Sequence, residues 1–134
     1  MHADRKNPWT ERGRSHGRRP LVLAAVITPF RGDALDESSF EENIRYQDAS
    51  GLDGILVGGT TGENAILHVA ERDKEIEIAK DILDDAMIIF GGVMRRVKTS
   101  DEALTDIERI ARAGAHAALV APPDGSMVDY MTSL

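Results

Sequence analysis

The chain has 134 residues, 42% of them hydrophobic and 29% charged, the balance of one small globular domain. A formal net charge of −7 argues against nucleic acid as the main partner, and a sequence without cysteine excludes disulfides, thiolate metal sites and a thiol nucleophile. The four histidines, His2, His16, His68 and His116, show no ligand spacing, so neither a metal nor a cofactor is expected. No apolar run approaches the roughly 20 residues of a membrane span, so a cytoplasmic protein without a membrane partner is expected.

Charge is spread unevenly. Residues 1–20 hold Arg5, Lys6, Arg12, Arg14, Arg18 and Arg19 against Asp4 and Glu11, a balance of +4, which leaves −11 for the remainder. This head is Arg-rich like a transit peptide but has no amphipathic period. It reads as a disordered basic tail in which Trp9 carries no core role, preceding a folded domain over 21–134. Leu21 to Thr28 is a continuous apolar run closed by Pro29, the texture of a strand buried on both faces. A turn over Asp33 to Asp36 leads to a helix capped by Asp36, with Phe40 and Ile44 on its inner face and Gly51 at its C-cap. Ile55 to Val57 is a second strand. Glu71 to Asp84 reads as a helix with Ile76, Ala79 and Leu83 on one stripe and Ile78 and Ile82 beside it. Met87 to Phe90 is a third strand. Ser100 caps a helix over Asp101 to Ala113, whose Leu104, Ile107, Ile110 and Ala111 face inward, and Gly114 ends it. Ala117 to Ala121 is a fourth strand, stopped by Pro122-Pro123.

The strict β-α-β-α-β-α-β order argues for an α/β fold with a parallel sheet and right-handed crossovers. Two architectures satisfy it, a doubly wound open sheet and part of a (β/α)8 barrel. Each βα unit takes about 29 residues, so eight units would approach the ~250 residues of a barrel. The spacing alone leaves both open.

The most informative stretch is Gly54 to Glu63, GILVGGTTGE. It starts as a strand and ends in a loop of small residues, at the strand end where α/β enzymes place their chemistry. Successive backbone N–H groups there can form an anion nest, and the hydroxyls of Thr60 and Thr61 add donors, a set that suits a carboxylate. No lysine follows the glycine, so the loop is not a P-loop, and it does not match G-x-G-x-x-G. A tight βα turn that is glycine-rich for steric reasons alone would look similar.

Neighbouring segments separate these readings. AVITPF (25–30), GDALDESSFEENI (32–44), SGLDGILVGGTTGEN (50–64), LHVAER (67–72) and ARAGAHAALVAPP (111–123), in this order and spacing, resemble the dihydrodipicolinate synthase and N-acetylneuraminate lyase family. The resemblance covers residues 21–123. It implies the first half of a TIM barrel, β1-α1-β2-α2-β3-α3-β4, in a class I aldolase group acting on pyruvate or a related 2-keto acid. It further implies that Thr61, through its hydroxyl and N–H, binds the keto acid's carboxylate, that Thr60 belongs to a proton relay, and that Gly59 and Gly62 permit close backbone approach. Glu63 would brace the loop, and Thr28 and Pro29 would lie at the same face. Homo-oligomers are expected by the same resemblance.

The family's imine-forming lysine lies on the sixth strand and its relay tyrosine on the fifth, so this chain is expected to be inactive alone, as a truncated lyase. The family's tyrosine after the fourth strand is replaced by Asp124-Gly125, and Tyr130 falls too late. His68 stands where a better helix cap is usual. The third βα loop, GGVMRRVKTSDE (91–102), carries Arg95, Arg96 and Lys98, where the family loop is short and polar. The Arg95-Arg96 pair suits a second carboxylate or a phosphate, while Lys98 reads as a solvated loop residue and a poor stand-in nucleophile. Two further readings remain: a non-catalytic 2-keto acid or carboxylate-binding module using the GTTGE loop, and an unrelated flavodoxin-like domain.

Overall fold

The computed structural model describes residues 20–85, 87–121 and 132. The basic head with Trp9, the Pro122-Pro123 stop and Tyr130 lie outside the described residues. The elements are β1 (Leu23–Ala25), β2 (Phe30–Arg31), β3 (Ala34–Leu35), α1 (Glu37–Asp48), β4 (Gly54–Val57), α2 (Val69–Ile82), β5 (Ile88–Gly92), α3 (Ser100–Ala113) and β6 (Ala117–Leu119). The order read from the sequence holds, with one addition. The expected turn before α1 is a small antiparallel hairpin, β2 against β3, turning at Gly32, whose φ is +65°.

β1, β4, β5 and β6 form one parallel sheet in sequential order. A doubly wound sheet reverses its strand order at a switch point, and this sheet does not. Right-handed crossovers between successive neighbours put every connecting helix on one side. Accordingly, α2 packs against β4 and β5, α3 against β6 and α2, and α1 against α2. This is the arrangement of a barrel wall.

The register assigns each strand residue to a layer. Ala24, Ile55 and Ile89 are aligned neighbours and face the helices. With Val26, Val57 and Val93 from the sheet and Phe40, Ile44, Ile76, Ala79 and Ile110 from the helices, they make the core. The alternate row, Ala25, Leu56, Phe90 and Ala117, points to the other face. No described helix covers that face, and Ile27 and Leu119 stand 55% and 48% exposed. In a closed barrel this row is interior.

Local boundaries differ from the sequence expectation where polar chemistry competes with apolar period. Asp36 caps α1 as expected: its carboxylate accepts from the Ser39 N–H at 3.3 Å and from Arg31 at 2.9 Å. The C-cap of α1 is Ala49, and Gly51 follows it with φ +76°. α2 starts at Val69 and stops at Ile82, earlier at both ends than expected, because Glu71 reaches back to the His68 N–H at 3.0 Å and fixes the first turn. Thr99, not Ser100, caps α3: its hydroxyl accepts from the Glu102 N–H at 3.2 Å while Glu102 accepts from the Thr99 N–H at 3.1 Å. Within α3, Leu104 is 41% exposed and Ala111 is exposed, contrary to the expected inner face. Ala103, Asp106 and Ile110 are buried instead.

Asp106 turns inward because Arg72 does. The Arg72 side chain is fully buried and donates to Asp106 at 2.6 Å, to the Gly92 carbonyl at 3.2 Å and to Asp73 at 2.6 Å. Asp106 also accepts from the Met94 N–H at 2.8 Å. Burial disfavours the guanidinium charge, but these carboxylates outweigh it and hold the pKa of Arg72 above its ordinary value. The cluster ties α2, α3 and the end of β5 together near the C-terminal ends of the strands.

Candidate functional site

β4 ends at Val57, and the chain leaves the sheet at Gly58 with φ +67°. A Cβ on Gly58 would stand 2.9 Å from the Arg72 side chain, so the turn is possible only with glycine. The loop then coils through Gly59, Thr60, Thr61 and Gly62 to Glu63, which adopts a left-handed φ of 59°. Glu63 N–H donates to the Thr60 carbonyl at 3.0 Å, and Asn64 N–H to the Gly59 carbonyl at 3.2 Å. Gly62 packs tightly: a Cβ there would lie 3.2 Å from both Gly58 N and the Val26 carbonyl. Thr28, buried at the end of the first strand region, donates its hydroxyl to the Gly62 carbonyl at 2.8 Å.

Two buried side chains under this loop were not legible as site residues. Asn64 donates to the Gly58 carbonyl at 2.5 Å and the Val93 carbonyl at 3.2 Å, and accepts from the Arg95 N–H at 2.6 Å. It therefore joins the β4 loop to the β5 loop. The bracing expected of Glu63 is done by Asn64 instead; Glu63 is exposed and contributes through its backbone. The second is Glu75 of α2, fully buried, with no hydrogen-bond partner on either carboxyl oxygen among the described residues. Burial pushes its pKa up to about 8, with a smaller push from the Glu71 charge. The nearby Thr28 hydroxyl opposes the shift by more than Glu71 adds to it, but not enough to offset burial, and in the structure its proton is donated to Gly62.

Above the loop lies an open cavity of about 320 Å³, walled by Gly58, Gly59, Thr60, Asn64, Arg95 and Lys98, among others. It sits at the C-terminal ends of β4, β5 and β6. The structure thus brings Gly59 and Thr60 to one cavity. Thr61 stands exposed beside it without joining the wall, and Gly62 lies buried beneath. Among the described residues, none of the N–H groups from Gly59 to Gly62 donates to a backbone carbonyl. Such a run of free donors, beside two exposed hydroxyls, is a donor set of the kind that can hold an anion. The arginine pair does not act together: Arg95 lines the cavity, whereas Arg96 turns aside and donates to the Leu67 carbonyl at 3.0 Å. Lys98 joins Arg95 in its place.

A sequential parallel βα wall, with a glycine-rich loop at the C-terminal strand ends, is part of a TIM barrel with an aldolase- and lyase-like fold. The chain belongs to the dihydrodipicolinate synthetase family, whose model matches residues 20–124. It is 35% identical over 102 residues to a 4-hydroxy-tetrahydrodipicolinate synthase of Syntrophobacter fumaroxidans, covering 76% of this chain and 34% of that protein. To the enzyme of the same name from Methanothermobacter thermautotrophicus it is 38% identical over 103 residues, covering 76% and 36%. Among solved structures, dihydrodipicolinate synthase from Aquifex aeolicus superposes with a TM-score of 0.65 at 30% identity, over 75% of this chain and 33% of that one. A family protein from Coccidioides immitis superposes with a TM-score of 0.76 at 27% identity, over 85% and 38%. The chain therefore spans about a third of the length of the curated relatives it matches, and its fold is a partial (β/α)8 barrel.

Proposed function

We propose that residues 21–134 supply the carboxylate-binding part of a Schiff-base lyase site acting on pyruvate or a related 2-keto acid, with residues 1–20 as a basic extension outside the barrel. The supporting observation is the free N–H run from Gly59 to Gly62 beside two exposed threonine hydroxyls, at the strand ends of a family member. In this reading the keto acid's carboxylate accepts from Thr61, through its N–H and hydroxyl, and from the neighbouring glycine N–H groups. Thr60, on the cavity wall, passes a proton between substrate and solvent side. Gly59 and Gly62 let the backbone approach the ligand. In this reading none of the described lysines, Lys74, Lys80 and Lys98, is the imine-forming nucleophile, and the part played by these residues is binding.

Calorimetric titration with pyruvate tests this. The chain is expected to bind pyruvate, and Thr61→Val to weaken binding about tenfold, the worth of a charge-assisted hydrogen bond. A chain that is folded by circular dichroism and binds no 2-keto acid overturns the reading. Borohydride reduction with pyruvate followed by intact-mass measurement is expected to leave the chain unmodified. A lysine adduct, with Lys98 the first to locate, would show that the chain carries its own nucleophile.

A further inference from the structure

Proposing pyruvate accounts for the loop after β4 but not for the two cations on the opposite wall of the same cavity. The loop after β5 carries Arg95, Arg96 and Lys98, and the structure sorts them. Arg95 and Lys98 both line the cavity with Gly59 and Thr60, and no aspartate or glutamate is among its lining residues. In a chain of net charge −7, this is a local positive site. Neither cation is incidental to a floppy turn. The backbone N–H of Arg95 is held by the buried Asn64 carbonyl oxygen at 2.6 Å, and that of Lys98 by the Glu102 carboxylate at 2.8 Å. The bonds from Lys98 and Thr99 hold the Glu102 carboxyl below its ordinary pKa, which keeps it charged as an anchor across the neutral range. The backbones are therefore fixed while, among the described residues, neither cationic side chain enters an ion pair.

We infer that Arg95 and Lys98 form a second anion subsite, which selects 2-keto acids carrying a further carboxylate or phosphate at the end remote from the keto group. This rests on the keto-acid reading of the GTTGE loop. A ligand whose first carboxylate sits on the Gly59–Gly62 donors extends its far end across the cavity toward the β5 loop. Arg95 presents a planar fork suited to either oxyanion, and Lys98 adds a point charge. Both side chains are solvent-exposed, so the selectivity is screened by salt.

The test is calorimetric titration of the full chain with five ligands: pyruvate, 2-oxopentanoate, 2-oxoglutarate, phosphohydroxypyruvate and inorganic phosphate. The dianion 2-oxoglutarate and the more highly charged phosphohydroxypyruvate are expected to bind at least about tenfold tighter than 2-oxopentanoate at low ionic strength, with the ratio shrinking as salt is added. Which of 2-oxoglutarate and phosphohydroxypyruvate binds tighter decides between carboxylate and phosphate. Arg95→Gln and Lys98→Gln should each lower the ratio and the double variant abolish it. Arg96→Gln removes the same charge outside the cavity and should keep it. Equal affinity for dianions and 2-oxopentanoate, or a ratio that survives the double variant, overturns the subsite while leaving pyruvate binding intact. If pyruvate fails to bind but inorganic phosphate binds in an Arg95-dependent manner, the subsite stands and the keto-acid reading falls. If none of these ligands binds, both fall.

Discussion

Replacing Glu75 by leucine should stabilise the fold, and the gain should grow with pH. Glu75 is fully buried in α2 with neither carboxyl oxygen hydrogen-bonded among the described residues. Its pKa rises from 4.5 to about 8 because burial disfavours the charged form and outweighs the opposing Thr28 hydroxyl, with a smaller push from Glu71. The sign follows from linkage. A carboxyl whose folded pKa lies above its unfolded value favours the fold fully only below about 4.5, and that favour is lost as pH rises through about 8. At 1.36 kcal/mol per pKa unit, about 3 kcal/mol of stability disappears between pH 5 and pH 8. Leucine has no charge to lose, so urea denaturation should show Glu75→Leu ahead of the parent at pH 8 by about 3 kcal/mol more than at pH 5. Glu75→Gln should flatten the pH dependence while still burying unpaired polar atoms, and so gain less. A Glu75→Leu advantage that is the same at both pH values would refute the reasoning, because it would mean that the carboxyl ionises without penalty and is solvated in the folded state.

Other perturbations act on the same framework. Asp106→Ala leaves the Arg72 guanidinium buried with its 2.6 Å partner removed, and should cost about 3 kcal/mol or more in urea denaturation. Asn64→Leu removes both amide donations and the acceptor for Arg95 N–H; a loss of about 2 kcal/mol is expected, with weaker pyruvate binding in calorimetry because the loop after β4 is no longer pinned. Asp36 should titrate by NMR near its depressed value of about 2, held there first by the Ser39 N–H and then by Arg31. Its contribution to α1 is thus present above about 3.8 and lost as pH falls toward about 2, and Arg31→Gln should move the midpoint back upward.

The parts of the fold that follow apolar period were legible in the sequence. The strands at Ile55–Val57 and Met87–Phe90, the Asp36 cap and the stripe Ile76, Ala79 and Leu83 are set by burial and capping within a few residues of one another, and the structure keeps them. What period cannot show is a charged residue turned inward by a partner far along the chain. Arg72 and Asp106 are 34 residues apart, and each alone reads as a solvated helix charge. Together they rotate α3 so that Leu104 faces out. A weak signal was available: Asp106 falls between Ala103 and Ile110 at helical spacing, an acid on an otherwise apolar stripe.

The candidate site divides along the same line. The turn of the GTTGE loop was legible because it is local: glycines stand where a Cβ would collide. The opposite wall was only half legible, because adjacency misled there. Arg95 and Arg96 are neighbours in sequence, yet they are the two central residues of a turn closed by Val97 N–H on the Met94 carbonyl, and their side chains part there: Arg96 reaches Leu67 while Arg95 shares the cavity with Lys98. The residue that joins the two walls, Asn64, is also the one that composition hides best. It follows the motif directly and reads as a loop polar residue, but its amide is what sets the β5 loop at a fixed position from the anion nest. Under the two-ended ligand reading proposed above, the pocket needs that fixed separation more than it needs any single donor, and so the proposed specificity depends on Asn64 as much as on the charges it positions.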